Sequence, residues 1–445
     1  MEIHVVSKTD NQEHAVVSLD RSKDDNLSLG VSSVRVRPLL ISLTSNNLSY
    51  ARGGDFLHWW DTYPVPAQLP PPYNDRSSWG IVPAWGYGLV TESTAEITPG
   101  TLLWGFWPTA SMPVSLRLQR SEPTGHWTEI SESRQRLMTI YNAYIEEGHI
   151  NFPDSASGNK LQSNINIASL ISEENLKHMS WISLFRPVWQ TGYLLSRHTF
   201  TSSPASRPPI HPLGMNLPWT AADADISASA VVSLSASGKT ARSFAYNIFQ
   251  RSAVEGPVGF LQVSQTPEAL DPVAGILGAK IPTKAVRYDQ AGESMEWIGN
   301  LRPERIVIVD FGARVGTLAQ LVEDIRGHSA LEGVKTTIVK VGSEQKVYSS
   351  SEIHADRESM QKTGAIQFNT SGVRDAAVKL ASAKDYHTRV QPVWEDWVCV
   401  SHEIVPDIQV RLGRGVSGDG GIENGWSRLC LGSVGTQEGL VYVLT

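Results

Sequence analysis

A run of small residues, SASGKTA at 235–241, has the composition of a phosphate-binding turn. It follows an apolar strand pattern and opens a helical one, so backbone N–H groups and the positive end of a helix dipole would point at a bound anion. Gly238 alone fills a glycine position of the dinucleotide pattern G-x-G-x-x-G, and an ordinary tight turn with a serine N-cap is the competing interpretation. The expected cofactor contacts here are Ser235, Ser237, Gly238, Lys239, Thr240 and Arg242.

Two other short segments resemble nucleotide-binding motifs, but each lacks residues that its motif requires. Gly238-Lys239-Thr240 resembles the end of a P-loop, but that motif needs a glycine at position 233, which is Ser. Asp310-Phe311-Gly312 resembles the magnesium triplet of kinases, whose glycine loop, lysine strand and catalytic loop are missing from the sequence. Because the triplet ends a strand, it would instead border the ligand crevice of a parallel sheet. We therefore expect cofactor contacts from Phe311, Gly312 and, at the end of the next strand, Gly342.

The end of the strand pattern VGFLQV lacks an acidic residue. NAD-dependent enzymes keep an acid there for the adenosine ribose, whereas Ser264 and Thr266 are uncharged. Together with the bases Lys239 and Arg242, this predicts NADP rather than NAD, with Ser264 as a further contact. The hydroxyl groups could equally cap the helical segment that starts near Pro267.

Alternating strand and helix patterns between 227 and 342 would position these residues. The strand patterns are SAVVSLS, VGFLQV, AVRY, RIVIVD and KTTIVKV, and their alternation with helices predicts a doubly wound parallel sheet. Residues 1–120 read as β-strands, and the closing GLVYVL is one more strand. The segment from about 131 predicts a helix with Leu137, Ile140, Tyr141 and Tyr144 on one face. The chain would thus leave a β domain, build an α/β domain and return to β.

Length and composition restrict the class of protein. A chain of 445 residues predicts two domains, and a net charge of -7 argues against nucleic acid as a partner. The two cysteines lack the spacing of a disulfide framework or a structural zinc site. No segment has the pattern of a signal peptide or a membrane span, so we expect a cytoplasmic protein without a membrane partner. Fourteen tryptophans are unusual, and aromatic side chains in such number predict a core or a pocket wall.

The order of these parts resembles the medium-chain dehydrogenase/reductase superfamily, in its zinc-free quinone-oxidoreductase branch. SASGKTA stands where that family has G-A-S-G-x-x-G. More narrowly, LTSNNLSYA (43–51), WGIVPAWG (79–86) and SASGKTA resemble an uncharacterised family of that superfamily marked by S-A-S-S-K-T-A. The resemblance implies a GroES-like β domain with a helical extension at 1–200, a Rossmann-type domain at 201–380 and a return to the β domain at 381–445.

The resemblance also implies a site without metal. Zinc members carry Gly-His-Glu after the proline of the β domain, where this chain has Trp85-Gly86-Tyr87 after Pro83-Ala84, and no cysteine lies upstream. A substrate carbonyl would then be polarised by hydrogen-bond donors, for which Asn47 and Tyr50 match the family stretch that lines the nicotinamide site. Capping for Asn47 and core packing for Tyr50 are the structural alternatives. Trp59, Trp60 and Trp85 are the expected walls of the substrate pocket.

Three functions stay open at this level. The first is an NADP-dependent, metal-independent reductase or dehydrogenase of an enone-, quinone- or ketone-type small molecule, with a role in secondary metabolism. The second is a redox-neutral cyclase, isomerase or dehydratase on the same fold that no longer uses the cofactor. The third is a binding or regulatory protein with a vestigial site. A small-molecule substrate is expected in the first two, and a homodimer is an open alternative to a monomer.

Overall fold

The computed structural model describes residues 1–20, 28–151 and 171–444. Seventeen strands are assigned in these ranges: β1 (Glu2–Ser7), β2 (His14–Ser18), β3 (Ser33–Leu43), β4 (Trp79–Gly80), β5 (Pro83–Ser93), β6 (Thr101–Pro108), β7 (Val114–Ser121), β8 (His126–Glu129), β9 (Ala143–His149), β10 (Ser229–Leu234), β11 (Gly259–Val263), β12 (Thr283–Val286), β13 (Arg305–Phe311), β14 (Lys335–Gly342), β15 (Ile366–Gln367), β16 (Gln409–Arg414) and β17 (Glu438–Val443).

The same described ranges contain eleven α-helices. They are α1 (Ser45–Arg52), α2 (Glu173–Leu194), α3 (Ala221–Ala224), α4 (Lys239–Phe249), α5 (Asp271–Ile276), α6 (Ser294–Asn300), α7 (Thr317–Gly327), α8 (Ser350–Thr363), α9 (Thr370–Ala381), α10 (Ala383–Ile404) and α11 (Ile422–Cys430). None of these helices is both long and apolar enough to cross a lipid bilayer.

The chain divides into two compact units. The β unit comprises Met1–Arg186, Gln345–Val347 and Gln409–Thr445, and the α/β unit comprises Pro187–Glu344 and Tyr348–Ile408. The sequence predicts boundaries at 200 and 380, whereas the division falls inside α2 and after α10. The later boundary differs because α10 belongs to the α/β unit, where Asp407, just beyond its end, forms an ion pair with Arg242 of α4.

The β unit is built on an antiparallel sheet that closes on itself. Its strands follow the order β16-β17-β3-β5-β6-β9-β8-β7, and β3 also pairs with β7, which joins six strands into a ring. The predicted strands in 31–44, 87–93, 101–107 and 439–444 are confirmed as β3, β5, β6 and β17. The predicted return of the chain to this unit is also seen, because β16 and β17 extend the sheet beside β3.

The predicted helix near 131–146 is wrong. The segment forms short 3-10 turns at Glu132–Arg134 and Thr139–Asn142, followed by β9. Tertiary contacts override the helical pattern, because the buried Arg134 guanidinium donates to the hydroxyl of Tyr144 (2.9 Å) and lies 3.7 Å from the Glu129 carboxylate. The side chain of Asn142 donates to the carbonyl of Arg134 (3.0 Å), which fixes the turn.

The α/β unit contains a six-stranded parallel sheet in the order β12-β11-β10-β13-β14-β15. Counted from β10, this is the order 3-2-1-4-5-6 of dinucleotide-binding doubly wound sheets. The five strand patterns predicted between 227 and 342 are confirmed as β10 to β14, all paired in parallel. Every residue of β10 is buried, as expected for a central strand that is covered on both faces.

Gly86 provides a test of packing in the β unit. A Cβ at this position of β5 would overlap the Leu40 carbonyl oxygen and lie 2.7 Å from the Cα of Ile41, both in the backbone of β3. We expect Gly86→Ala to lower the free energy of unfolding by about 1–3 kcal/mol because rigid backbone must move. Gly420→Ala, where a Cβ meets nothing within 4 Å, should change it by less than about 0.5 kcal/mol. Equal loss in both variants, measured by thermal or urea unfolding, would contradict this account.

Candidate functional site

The turn after β10 has the geometry expected for a phosphate contact. Ser235 adopts a left-handed backbone conformation (φ 58°), which turns the chain sharply from strand to helix. Gly238 is the N-cap of α4 and places no side chain on the first turn, so the N–H groups there are not capped by its side chain. Lys239 and Thr240 are the first two residues of α4 and are half-buried.

Gly238 is not required by its own backbone conformation. Its φ of -64° is open to any residue, and the only neighbour of an added Cβ is the Ser235 carbonyl oxygen at 3.2 Å. An alanine there would therefore fit the fold while occupying space beside the helix N-terminus. The tight conformation belongs to Ser235, at a place where dinucleotide-binding proteins have glycine.

Ser237 and Arg242 serve the interior of the α/β unit. Both are buried, and Arg242 Nε donates to the carbonyl oxygen of Ser237 (3.0 Å). The Arg242 guanidinium also forms the ion pair with Asp407. A contact between Arg242 and a 2′-phosphate would require the ion pair with Asp407 to break. The geometry therefore favours a structural role for Arg242 over the predicted cofactor contact.

The strand ends beyond β13 and β14 approach each other very closely. A Cβ on Gly342 would lie 2.5 Å from the Phe311 carbonyl oxygen, and one on Gly312 (φ 111°) would lie 2.5 Å from the Ser343 carbonyl oxygen. These glycines are therefore needed for packing between the two strand ends. The Asp310 carboxylate accepts hydrogen bonds from the N–H groups of Gly312 (2.9 Å) and Ala313 (2.8 Å), which explains the Asp-Phe-Gly triplet as a turn.

Two arginines that the sequence analysis missed reach Gln265, just after the end of β11. Arg287, just after β12, donates to the backbone carbonyl of Gln265 (3.1 Å) and pairs with Glu268. Arg314, just after β13, donates through Nη1 (3.1 Å) and Nη2 to the side-chain oxygen of Gln265. These two hydrogen bonds form when the amide is oriented with its oxygen toward the arginine. A search for basic residues one to three positions after each strand would have found both.

Hydroxyl groups at the same strand end are only partly satisfied. The Ser264 hydroxyl accepts a hydrogen bond from the N–H of Thr266 (3.1 Å), as in the capping alternative. Thr266 Oγ1 is buried and has no hydrogen-bond partner among the described residues. A buried hydroxyl without a partner carries an energetic cost, which a ligand hydroxyl or phosphate would remove.

Tyr288, after β12, packs against the hydrophobic core of the sheet. It lies close to Ser235, and burial raises the pKa of this tyrosine above its ordinary value. The phenol is therefore neutral at physiological pH.

In the β unit, Asn47 acts as a capping residue. Its side-chain oxygen accepts from the N–H of Thr44 (2.7 Å) and its nitrogen donates to the carbonyl of Pro83 (2.9 Å). Both ends of the amide thus bind backbone groups, in a residue that is 2% exposed. This is the structural alternative stated for Asn47, and the geometry favours it over the predicted role as a donor to substrate.

Tyr50 lies inside an aromatic cluster of the β unit. Its ring centroid is 4.8 Å from that of Trp59 and 5.2 Å from that of Phe106, and its hydroxyl accepts from Trp85 Nε1 (3.1 Å). Burial raises the pKa of Tyr50 to about 12, so the phenol stays neutral. Trp85 stacks on Trp104 with centroids 4.8 Å apart.

The three tryptophans predicted as pocket walls are buried among protein side chains. Trp59, Trp60 and Trp85 are 6%, 4% and 5% exposed. Trp60 covers Gly54 and Gly80, where an added Cβ would overlap its indole ring. Within the β unit these rings fill the core, and their predicted contact with a substrate stays a prediction.

The described residues contain no group of three or more His, Cys, Asp or Glu side chains placed to hold a metal ion.

A model of one protein family matches most of the chain. Residues 41–435 match the family described as "Protein of unknown function (DUF2855)". The chain belongs to the DUF2855 family. A search of curated proteins returns no match for this DUF2855 member.

Similar solved structures are distant. CurA from Vibrio vulnificus in complex with NADPH has a TM-score of 0.48 and 10% identity, covering 100% of this chain and 99% of that chain. CurK enoyl reductase has a TM-score of 0.48 and 11% identity, covering 99% of this chain and 98% of that chain. A putative zinc-binding dehydrogenase from Sinorhizobium meliloti 1021 bound to NADP has a TM-score of 0.42 and 12% identity, covering 100% of this chain and 99% of that chain. All three TM-scores lie below 0.5.

Tyr50→Phe tests the aromatic cluster. Removing the hydroxyl leaves the buried N–H of Trp85 without its acceptor, so we expect the free energy of unfolding to fall by about 1–3 kcal/mol. Tyr73→Phe is the matched control, because Tyr73 is half-buried and contacts Trp79 through its ring alone. Thermal unfolding followed by tryptophan fluorescence measures both, and an unchanged midpoint for Tyr50→Phe would refute the assigned hydrogen bond.

Proposed function

We propose that this protein binds NADP(H) on its parallel sheet and reduces an enone-, quinone- or ketone-type small molecule without a metal ion. The observation that carries the proposal is the strand order 3-2-1-4-5-6 with the Ser235–Ala241 turn at its centre. In such sheets the order reverses between the first and fourth strands, here β10 and β13, and ligands bind outside the carboxyl ends at that point.

The residues around this point fit a dinucleotide phosphate. The turn at 235–240 would hold the pyrophosphate through backbone N–H groups and the N-terminus of α4. The Thr266 hydroxyl would meet the adenosine ribose, since its oxygen lacks a partner among the described residues. Arg287 and Arg314 would hold the 2′-phosphate, because both guanidinium groups reach Gln265 just after β11 and no acid ends that strand.

When bound, the nicotinamide group would supply a hydride for the reduction. The residues of this chain would contribute binding and orientation. Tyr288 lies beside the turn at Ser235, and an ion pair with Glu268 orients Arg287. The predicted roles of Tyr50, Trp59, Trp60 and Trp85 toward a substrate belong to this proposal as predictions.

NADPH binding is the first test. Titration of the full chain, followed by tryptophan quenching and nicotinamide emission, should show saturable binding, with NADH much weaker. Arg287→Gln and Arg314→Gln should each weaken NADPH binding by about 10- to 100-fold, the value of a charge-assisted hydrogen bond, and leave NADH unchanged. Lys335→Gln, an exposed base at the amino end of β14, is the matched control and should leave both affinities unchanged.

Gly238→Ala locates the pyrophosphate. The added methyl group fits the fold but lies beside the helix N-terminus, so the protein should stay folded and bind both nucleotides more weakly. Native affinity in folded Gly238→Ala would refute the placement. Equal affinity of the native protein for NADPH and NADH would refute the 2′-phosphate assignment while leaving the dinucleotide site intact.

Consumption of NADPH separates the reductase from the redox-neutral alternative. A panel of enones, quinones and ketones incubated with protein and NADPH should cause loss of nicotinamide absorbance at 1:1 stoichiometry with reduced product. Binding of NADPH without consumption on any substrate would argue against the reductase. Conversion of a substrate with no NADPH consumed would favour the cyclase, isomerase or dehydratase.

A further inference from the structure

A second group of cationic side chains lies in the α/β unit, away from the turn after β10. Helix α2 continues into a π-helical turn, Leu195–Thr199, which carries Arg197. Arg207 reaches back to this turn, and its Nη1 donates to the Arg197 carbonyl oxygen (3.2 Å). Arg197 Nε in turn donates to Asn247 of α4 (3.4 Å). π-helical turns are rare and frequently mark functional sites.

His198 and α10 complete this group. The His198 ring is 7% exposed and lies between Tyr193 and Tyr386, with centroids 5.9 Å and 6.1 Å away. Arg389 is three residues after Tyr386 on α10, so it lies on the same helix face one turn further on. Arg207 and Arg389, from two other segments, act electrostatically on this buried histidine, and Arg197 precedes it in the chain.

These three arginines form no ion pair with a carboxylate among the described residues. In the described part of the chain, none of the guanidinium groups of Arg197, Arg207 and Arg389 has a carboxylate oxygen within ion-pair distance. Glu255, the carboxylate that bears on Arg197, is instead bound by the Ser252 hydroxyl (3.0 Å). Arg207 Nε is buried without a hydrogen-bond partner. Arg242 of the same unit differs, because it is paired with Asp407.

A fourth arginine adds positive charge beneath them. Arg251 is 4% exposed and donates to the carbonyl oxygens of Ser196 (2.6 Å), Phe200 and Glu255 (3.2 Å). The carboxylates of Glu255 and Asp225 offset part of its charge. Burial, and then the charge of Arg197, lowers the pKa of Arg251 to about 9. Burial, followed by Arg207 and Arg389, lowers the pKa of His198 to about 3, so the histidine is neutral at physiological pH.

Arg197 and Arg207 are half-buried, and like charges held partly out of water are costly unless an anion offsets them. We propose that Arg197, Arg207 and Arg389 bind the phosphate group of a small ligand, at a site separate from the dinucleotide. A planar guanidinium matches two oxygens of a phosphate at once, and three such groups from different directions suit a tetrahedral dianion better than a planar carboxylate. Asn247 lies eight residues along α4 from Lys239, about 12 Å at the rise of a helix, which separates this site from the turn after β10.

Inorganic phosphate is the probe for the first experiment. The thermal midpoint of the full chain should rise with phosphate concentration relative to chloride at matched ionic strength, as binding to the folded state requires. Arg207→Gln and Arg389→Gln should each weaken the apparent affinity by about 10- to 100-fold. Arg326→Gln, an exposed base on α7, should respond like the native protein. Gly238→Ala should also keep the response, because the dinucleotide turn is a different site.

The same variants also test electrostatic repulsion among the arginine side chains. In phosphate-free buffer Arg389→Gln should unfold at the same or a higher temperature than the native protein, since one of several like charges is removed. A lower midpoint would show that Arg389 has a structural role and would overturn its assignment. This variant tests the proposal even if Arg207→Gln does not fold, because Arg389 is exposed.

Two comparisons identify the ligand class. A phosphate monoester such as phenyl phosphate should bind at least as tightly as inorganic phosphate if the natural ligand is a phosphorylated small molecule, and much more weakly if it is free phosphate. Either order supports a phosphate site. Equal or stronger stabilisation by citrate or acetate would overturn the phosphate assignment. A phosphate response that persists unchanged in both arginine variants, or is absent from the native protein, would overturn the site.

Discussion

The architecture of the α/β unit depends on one constraint of parallel sheets, namely that each strand must be followed by a crossover that returns the chain to the same edge. When successive crossovers share one hand, strands added on either side of β10 have their helices on opposite faces of the sheet. Between β10 and β13 the connections therefore diverge, and the carboxyl ends of these strands are left open. The turn at 235–241, the Asp310 turn and the end of β11 all lie at this edge.

Close backbone approach is what this edge requires of the sequence. Gly312 and Gly342 bring the ends of β13 and β14 together, and Ser235 accepts a left-handed conformation that glycine would adopt without strain. Glycines read as cofactor contacts are thus explained first by packing. The residue that leaves space for a ligand is Gly238, whose backbone conformation is ordinary.

Buried charges show which arginines are structural. Arg134 is held by Glu129 and Tyr144, and Arg242 by Asp407, so each forms a locally neutral group that organises its surroundings. The arginines near His198 have no such partner in the described part of the chain. Because exposed pairs such as Arg287 with Glu268 contribute little to stability, Arg287 can exchange its partner for a ligand at low cost.

Sequence alone determined the parallel sheet, since long apolar strands alternating with helices have few other ways to bury both faces. It also located the turn after β10 and the strands of the β unit, because these are local patterns. It failed for the segment near 131–146, where Arg134 and Tyr144 make contacts that no helical periodicity encodes.

Only the tertiary structure decided which predicted site residues have hydrogen-bonding groups that are not already bound within the protein. Asn47 and Arg242 carry suitable chemistry, yet both are bound within the protein, and such pairings depend on residues that are distant in sequence. Arg314 and Gln265 are likewise 49 positions apart in the chain but meet at one sheet edge. A side chain's type is a property of the sequence, whereas its remaining hydrogen-bonding capacity is a property of the fold, because the partners that use it are chosen by tertiary packing.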